Sequence, residues 1–209
     1  MGLRPATTFL RLALRRAARG TGSTPEFFER RTAVQALPAL HQILGSIPWV
    51  LVGGIALRAY IPERMTLDVY ILVHQRDEER VRAAFLAAGY RVTGLLSIGG
   101  LSVQSVQASE PPIDVLTRAD VWLDDALAEL VHDSAGYPVL GRSFLILLKL
   151  QAGRTQDLAD VQRLVAHTSA EERTAYLQLI RRESPELIED LESLYTLADL
   201  EFGNRAQEG

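Results

Sequence analysis

The spacing of the apolar residues changes at about Asp120, and this change constrains the fold more than any other feature of the sequence. Before it, short strand-like runs alternate with helical periods, and after it the period is helical almost to the end. Mixed strands and helices followed by helices alone are typical of an α/β sheet with a helical C-terminal part. The predicted strands are 49–52, 67–73, 90–96, 101–107 and 113–116, and the predicted helices are 26–46 (interrupted by Pro38), 55–60, 77–88, 144–151, 157–166, 170–181 and 186–197.

The chain is long enough to build a core without covalent staples. It has 209 residues, and a domain of that size buries roughly 70% of the surface that it exposes when unfolded. It has no cysteine, which excludes a disulfide framework, a thiolate nucleophile and a thiolate zinc site. The most apolar run, 144–148, is far shorter than the ~20 residues that cross a bilayer. We therefore expect a cytoplasmic protein that does not enter the membrane.

Charge is unevenly distributed along the chain. The net charge of −4 gives no global reason to bind nucleic acid or anionic lipid, but residues 1–25 carry five arginines and no acidic residue. We predict a basic N-terminal arm over 1–25, a core over 26–140 and a helical part over 141–209. The arm has three interpretations, namely a mobile tail or misassigned start, an organellar transit peptide, and a contact for RNA or a partner.

Four short motifs follow one another from the sheet to the C-terminal helices. They are a Gly-Gly turn after an apolar strand, an Arg-x-Thr-x-Asp-x-Tyr run, a carboxylate on a later strand, and a Lys…Arg…Asp-x-x-Asp stretch. Their residues are Gly53 and Gly54; Arg64, Thr66, Asp68 and Tyr70; Asp114; and Lys149, Arg154, Asp157 and Asp160. Over residues 48–165 this pattern resembles the nucleotidyltransferase fold, and in particular the bacterial proteins of that fold from abortive-infection and toxin–antitoxin pairs.

The resemblance implies a site that binds a nucleoside triphosphate (NTP) together with Mg²⁺ or Mn²⁺. Its catalytic residues would be Asp68, Asp114 and Lys149, and the first two of these would also hold the metal. Its nucleotide-binding residues would be Gly53, Gly54, Arg64, Thr66, Lys149, Arg154 and Asp157. The implied fold is a nucleotidyltransferase-like mixed sheet with flanking helices and a helical C-terminal extension.

General chemistry supports such a site. Residues i and i+2 of a strand point to the same face, so carboxylates at that spacing address one spot. Carboxylates and substrate phosphates suit Mg²⁺, which can activate an attacking hydroxyl and neutralise the leaving pyrophosphate. Glycines let backbone N–H groups approach a phosphate, a helix N-terminus favours the anion, and Lys149 adds a compact cation.

Tyr70 stands where the family pattern has the second carboxylate of an Asp-x-Asp pair. A phenol, with an ordinary pKa of about 10, is neutral at pH 7 and is a poor ligand for Mg²⁺. Asp68 and Asp114 remain at the expected positions, so we expect nucleotidyl transfer to be weakened. His74 should face the same side of the predicted strand as Tyr70, but it lies too far along the strand to reach the site. We interpret it as a surface residue at the strand end.

Two classes of function are compatible with these motifs. The first is Mg²⁺-dependent transfer of a nucleotidyl group from an NTP to a protein or RNA hydroxyl, with tRNA among the acceptors. It would operate in a toxin–antitoxin or phage-defence setting, with a cognate antitoxin as partner. The second is a catalytically degenerate relative that binds a nucleotide or a partner. A nucleotidyltransferase that modifies a small molecule, such as an antibiotic, is a third interpretation.

Each motif also has a purely structural interpretation. The two glycines would form an ordinary strand-to-helix turn, and the carboxylate on the later strand would face solvent. Arg154, Asp157 and Asp160 would cap and brace a helix N-terminus, where negative charge is favourable. Lys149 would extend from a core helix toward the surface. Asp68 is harder to explain in this way, because burying an unpaired carboxylate on an apolar strand is costly.

Overall fold

The computed structural model describes residues 37–62, 69–107 and 111–203. These residues divide between Gly141 and Arg142 into two compact units, the first with a β-sheet and the second, where it is described, built from helices. The strands are β1 Val50–Val52, β2 Val69–His74, β3 Tyr90–Leu95, β4 Gly100–Ser105, β5 Ile113–Arg118, β6 Val131–His132 and β7 Pro138–Val139. The helices of the first unit are α1 Leu40–Leu44, α2 Glu78–Ala87 and α3 Trp122–Ala128, with 3₁₀ turns over Ile55–Ala59 and Gln75–Asp77.

The seven strands described form one mixed sheet in the order β3-β4-β5-β2-β1-β7-β6. β2 is parallel to β5 and antiparallel to β1, and β1 is parallel to β7. The other neighbouring pairs, β3 with β4, β4 with β5 and β6 with β7, are antiparallel. The predicted α/β class with a mixed sheet is therefore confirmed. The strands that adjoin or carry the first three motifs, β1, β2 and β5, lie side by side in the centre.

Strand β5 shows that the two faces of the sheet differ in burial. Its residues alternate, with Ile113, Val115 and Thr117 buried and those between them half-buried. Helix α2 covers the buried face, since the Thr117 hydroxyl donates to Glu78 Oε2 on α2 at 2.8 Å. Successive side chains of a strand point to opposite faces, so Asp114 lies on the partly accessible face.

Gly100 is required by the close packing of β4 on β5. Its φ is +106°, and a Cβ added there would collide with the carbonyl oxygen of Val115. A residue with a side chain would therefore force the two strands apart. This close approach supports the register in which Ser102 on β4 pairs with Asp114 on β5.

The predicted strands near 49–52, 90–96, 101–107 and 113–116 are confirmed, as are the helices near 55–60 and 77–88. The expectation that the chain is helical almost to its end after Asp120 is wrong for 131–139, which forms the β6–β7 hairpin. Two-residue strands leave too few positions for an alternating pattern, and β7 is recruited by pairing with Leu51 of β1. Residues 26–36 of the predicted first helix and 67–68 of the predicted second strand lie outside the described ranges.

The second unit contains α4 Arg142–Ala152, α5 Thr155–Val165, α6 Ala170–Glu183 and α7 Ile188–Phe202, with a 3₁₀ turn over Pro185–Leu187. Helix α6 begins with a capping box, in which Ser169 and Glu172 each satisfy a backbone N–H of the other. Buried apolar side chains from all four helices form its core, among them Leu147, Leu164, Ile180 and Leu194. Within the ranges that the structure describes, no helix has the length and apolar character needed to cross a membrane. The predicted helical C-terminal part is confirmed.

Candidate functional site

Strand pairing brings three positions of the predicted site together. In the register of β1 and β2, Val52 pairs with Tyr70, and in the register of β2 and β5, Tyr70 pairs with Asp114. Gly53 directly follows Val52 at the end of β1. Three adjacent strands therefore place Gly53, Tyr70 and Asp114 at the same end of the central sheet.

Gly53 has a backbone conformation that other residues rarely adopt. Its φ is +70°, and a Cβ added there would lie 3.1 Å from Cδ2 of Tyr70 and 3.4 Å from its Cβ and Cγ. The ring of Tyr70 therefore packs on the glycine backbone. Gly54 has ordinary helical angles, φ −67° and ψ −37°, and precedes the 3₁₀ turn over Ile55–Ala59. Of the two predicted glycines, Gly53 is the one on which this turn depends.

Asp114 is half-buried, and a hydroxyl orients its carboxylate. Ser102, which pairs with it across β4 and β5, donates from Oγ to Asp114 Oδ1. The sequence analysis did not identify Ser102 as a site residue. Alternation along β4 predicts that Ser102 and Gln104 share a face, but the contact with Asp114 depends on the strand register.

Arg64, Thr66 and Asp68 lie outside the described ranges, so their roles stay predictions. His74, interpreted as a strand-end residue, is the last residue of β2. Its Nδ1 accepts a hydrogen bond from the N–H of Arg76 at 3.2 Å, which starts the following 3₁₀ turn.

Lys149 lies in the second unit, where two carboxylates hold its amino group. The residue is 3% exposed, and Nζ donates to Asp160 Oδ2 at 2.7 Å and to Asp157 Oδ1 at 3.2 Å. Arg154, whose side chain is exposed, donates from Nε to Asp157 Oδ2 at 2.6 Å. The Lys…Arg…Asp-x-x-Asp stretch is therefore an ion-pair cluster with a buried centre.

The cluster forms where one helix ends and the next begins. Lys149 is in the last turn of α4, Gly153 reverses the chain with a φ of +63°, and α5 follows at once. Asp157 and Asp160 are three residues apart and so share one face of α5. This geometry agrees with the interpretation that the two carboxylates brace the helix. The nucleotide-binding roles of Lys149, Arg154 and Asp157 stay predictions.

A metal ion near Gly53 would need carboxylate ligands from the strands around it. In the described ranges, no group of three or more His, Cys, Asp or Glu side chains is placed to hold a metal. Beside Gly53 these ranges supply Asp114, while the paired position on β2 is Tyr70. Mg²⁺ at such sites is bound by one or two carboxylates plus substrate phosphates. Asp114 is thus compatible with the predicted Mg²⁺ when substrate phosphates supply the other ligands, and the role of Asp68 stays a prediction.

Three solved structures resemble this chain distantly. No protein-family model matches the sequence, and no curated protein matches it. The antibiotic-resistance factor ANT(2'')-Ia, determined in solution, is 15% identical over 80% of this chain and 93% of that chain, with a TM-score of 0.43. A crystal structure of ANT(2'')-Ia with adenylyl-2''-tobramycin is 18% identical over 75% and 94% of the two chains, with a TM-score of 0.43. The Megavirus polyadenylate synthase is 10% identical over 83% of this chain and 37% of that chain, with a TM-score of 0.35.

Proposed function

We propose that this chain binds an NTP at the end of β1, where Gly53, Tyr70 and Asp114 meet, and transfers its nucleotidyl group slowly to an acceptor hydroxyl. The proposal rests on one observation: the glycine turn after β1 and the carboxylate of Asp114 on β5 lie at the same end of the sheet, on either side of Tyr70 on β2. In the reaction, the acceptor oxygen bonds to the α-phosphorus and the bond from that phosphorus to the leaving oxygen breaks. Pyrophosphate departs, and the hydroxyl proton passes to a carboxylate or to water.

Each residue has a role that its surroundings support. Gly53 has no side chain and a positive φ, so its backbone can approach a phosphate closely. Asp114, oriented by the Ser102 hydroxyl, is the proposed carboxylate of the site. We expect Mg²⁺ or Mn²⁺ as the cofactor, held by Asp114 and Asp68, because such ions neutralise the charge of the phosphates.

The acceptor and the biological setting come from the resemblance of the motifs. The pattern of glycine turn, Arg-x-Thr-x-Asp run and later carboxylate is similar to that of bacterial abortive-infection and toxin–antitoxin nucleotidyltransferases. We therefore propose a protein or tRNA hydroxyl as the acceptor and a cognate antitoxin as a partner. Such a pair would act in the cytoplasm.

One observation favours a second candidate function, which is nucleotide or partner binding without catalysis. The ring of Tyr70 covers the backbone of Gly53, beside the turn that would face the phosphates. A neutral phenol also adds no negative charge that could hold a metal beside Asp114. In this alternative the chain binds an NTP and does not transfer its nucleotidyl group.

The decisive experiment incubates the protein with each α-labelled NTP and Mg²⁺ or Mn²⁺. The label is followed on the protein itself, on tRNA, on lysate proteins and on aminoglycosides as small-molecule acceptors. We expect slow labelling of protein or tRNA that Asp114→Asn abolishes, because this change removes the charge and keeps the size. The matched control is Asp124→Asn, which alters an exposed carboxylate on α3 and should leave labelling unchanged.

The outcomes separate the candidate functions. NTP binding without labelling of any acceptor would favour the second function over the first. Labelling of the aminoglycosides alone would replace the proposed macromolecular acceptor with a small molecule. A protein that neither binds an NTP nor transfers label would contradict the first function and the nucleotide-binding form of the second. Full activity in Asp114→Asn would contradict the proposed site.

A further inference from the structure

A buried ion pair joins the segment after the glycine turn to the β6–β7 hairpin. Arg58, in the 3₁₀ turn over Ile55–Ala59, donates from Nε to Asp133 Oδ2 at 2.7 Å and from Nη2 to the same oxygen. The side chain of Asp133 is fully buried, and that of Arg58 is 12% exposed. The other carboxylate oxygen, Oδ1, accepts from the N–H groups of Ala135 and Tyr137, each at 2.9 Å. Both oxygens of this buried charge are therefore satisfied.

Two further contacts connect the same segment to the hairpin. The hydroxyl of Tyr60 donates to the carbonyl of Leu140 at 2.7 Å, and the N–H of Leu140 donates to the carbonyl of Leu51 on β1 at 3.1 Å. The guanidinium carbon of Arg58 also lies 5.9 Å from the centre of the Tyr137 ring. Leu140, which follows the hairpin, thus contacts β1 before the glycine turn and Tyr60 after it. Asp133 in the hairpin contacts Arg58, which also lies after the turn.

We propose that Arg58 and Asp133 are positioning residues that hold the Gly53 turn in the conformation that receives the NTP, an inference that rests on the proposed function. The turn needs support from outside, because the five-residue 3₁₀ segment after it has no side-chain cap and 3₁₀ hydrogen bonds have poor geometry. Glycine also permits a wide range of backbone angles, so the positive φ of Gly53 must be selected by its surroundings.

The energetics of the ion pair agree with a positioning role. Burying two charges costs desolvation energy that offsets most of their attraction, so a buried pair adds little stability over an apolar replacement. Charge-assisted bonds from the planar guanidinium are strongly directional, and here two N–H groups converge on one oxygen. The pair therefore restricts where the 3₁₀ segment lies, and through it the backbone of the turn.

The test uses two variants that change the connection without removing the buried charge of Asp133. Arg58→Lys keeps the positive charge and loses the forked geometry, and Tyr60→Phe removes one hydroxyl. Amide hydrogen exchange of peptide 53–60 measures the turn directly, and calorimetric titration with NTP measures binding. We expect about tenfold faster exchange and about tenfold weaker binding in Arg58→Lys, with smaller changes in the same direction in Tyr60→Phe.

The matched control is Arg173→Lys, which makes the same substitution in an Arg–Asp pair between α6 and α7. It should leave both the exchange of 53–60 and the binding of NTP as in the parent. Slower exchange or an unchanged rate in a folded Arg58→Lys would overturn the inference. If Arg58→Lys does not fold, the same two measurements on Tyr60→Phe decide.

Different results would overturn the proposed function and the positioning role of Arg58 and Asp133. A parent protein that binds no NTP would overturn the proposed function and this inference with it. A parent that binds NTP, together with a folded Arg58→Lys that binds it within about twofold, would overturn the positioning role alone. Faster exchange combined with weaker binding, and neither in the control, is the result that supports the pair as a positioning device.

Discussion

Tyr70 takes part in the site through its backbone and through its ring. Its backbone lies between those of Val52 and Asp114 in the sheet, and its ring packs on Gly53. A change at position 70 therefore alters both the charge beside Asp114 and the space above the glycine. Substitutions that change one property at a time can separate these effects.

Tyr70→Asp should create the pair of carboxylates that the predicted motif implies. Neighbouring like charges repel without a cation, so we expect the variant to unfold at a lower temperature than the parent in chelator. Added Mg²⁺ or Mn²⁺ should reverse this loss, since a ligand at a hundred times its dissociation constant stabilises the folded state by about 2.7 kcal/mol. Nucleotidyl transfer should rise, as measured with α-labelled NTP.

The controls for this variant separate charge from size. Tyr70→Asn removes the ring without adding a charge and should gain neither metal dependence nor activity. In the double variant Tyr70→Asp with Asp68→Asn, the gained transfer should be lost again. A fully active parent that Tyr70→Asp does not change would show that other residues hold the metal.

Gly53→Ala should destabilise the protein for two reasons. A side chain at positive φ costs about 1–2 kcal/mol, and the new Cβ would also press on the Tyr70 ring. Gly89→Ala is the matched control, because Gly89 has a φ of +83° and nothing within 4 Å of an added Cβ. Thermal melts should show a larger loss for Gly53→Ala, and adding Tyr70→Ala should narrow the difference. Equal losses at the two glycines would contradict the contact.

For single residues, the sequence predicts which ones belong to the site, but it does not predict which of them are in contact. The spacing of Tyr70 to Asp68 predicts that Tyr70 stands in place of a carboxylate. Its contact with Gly53 depends on the pairing of β1 with β2, and the bond from Ser102 to Asp114 depends on the register of β4 with β5. Strand register is set by the whole sheet, so a local pattern does not reveal either contact.

At the scale of elements, the turn between α4 and α5 depends on Lys149. Lys149→Met should lower the free energy of unfolding by about 3–5 kcal/mol, because it removes the buried cation that Asp157 and Asp160 share. Arg154→Met is the control, since an exposed arginine contributes about 0–1 kcal/mol. Urea unfolding measures both. A Lys149→Met variant with unchanged stability and lost NTP binding would show instead that the lysine serves the nucleotide.

The packing of α6 against α7 carries a pH dependence. Arg173 donates to both carboxylate oxygens of Asp199, at 2.8 and 2.5 Å, and these bonds lower the pKa of Asp199. A lowered pKa in the folded state means that the stabilisation is present above the ordinary aspartate pKa of about 4 and is lost as the pH falls through the lowered value. Because Asp199 is largely exposed, we expect about 0.2–1 kcal/mol.

The measurement compares urea unfolding of the parent and of Asp199→Asn at pH 7 and at pH 3. The variant should be less stable than the parent at pH 7, and the difference should shrink at pH 3. A difference that is the same at both pH values would show that the carboxylate does not titrate against Arg173.

At the scale of the whole molecule, the class of each long element was predictable and the arrangement of the sheet was not. The strands near 90–96 and 101–107 and the helix near 77–88 have clear periods and punctuating glycines. The order of the strands depends on long-range pairing, as between β2 and β5, which a local period does not encode. The β6–β7 hairpin escaped prediction because Asp133 and its buried partner Arg58, rather than an alternating pattern, anchor it.

The basic N-terminal arm offers a test at the same scale. The predicted arm lies outside the described ranges, and the four motifs that carry the resemblance begin after it. We expect deletion of residues 1–20 to leave the thermal midpoint nearly unchanged. In a chain of this length 1 kcal/mol corresponds to about 2–4 °C, so a fall of several degrees on truncation would show that the arm packs on the folded protein.

The burial of Lys149 has a practical consequence, because it is the single lysine of the entire sequence. The folded chain presents no accessible side-chain amine to acylating dyes, to lysine-directed cross-linkers or to enzymes that attach ubiquitin-like tags. A label found on the peptide that contains residue 149 must therefore have been acquired while the α4–α5 junction was open. This lysine is a built-in chemical reporter of local unfolding.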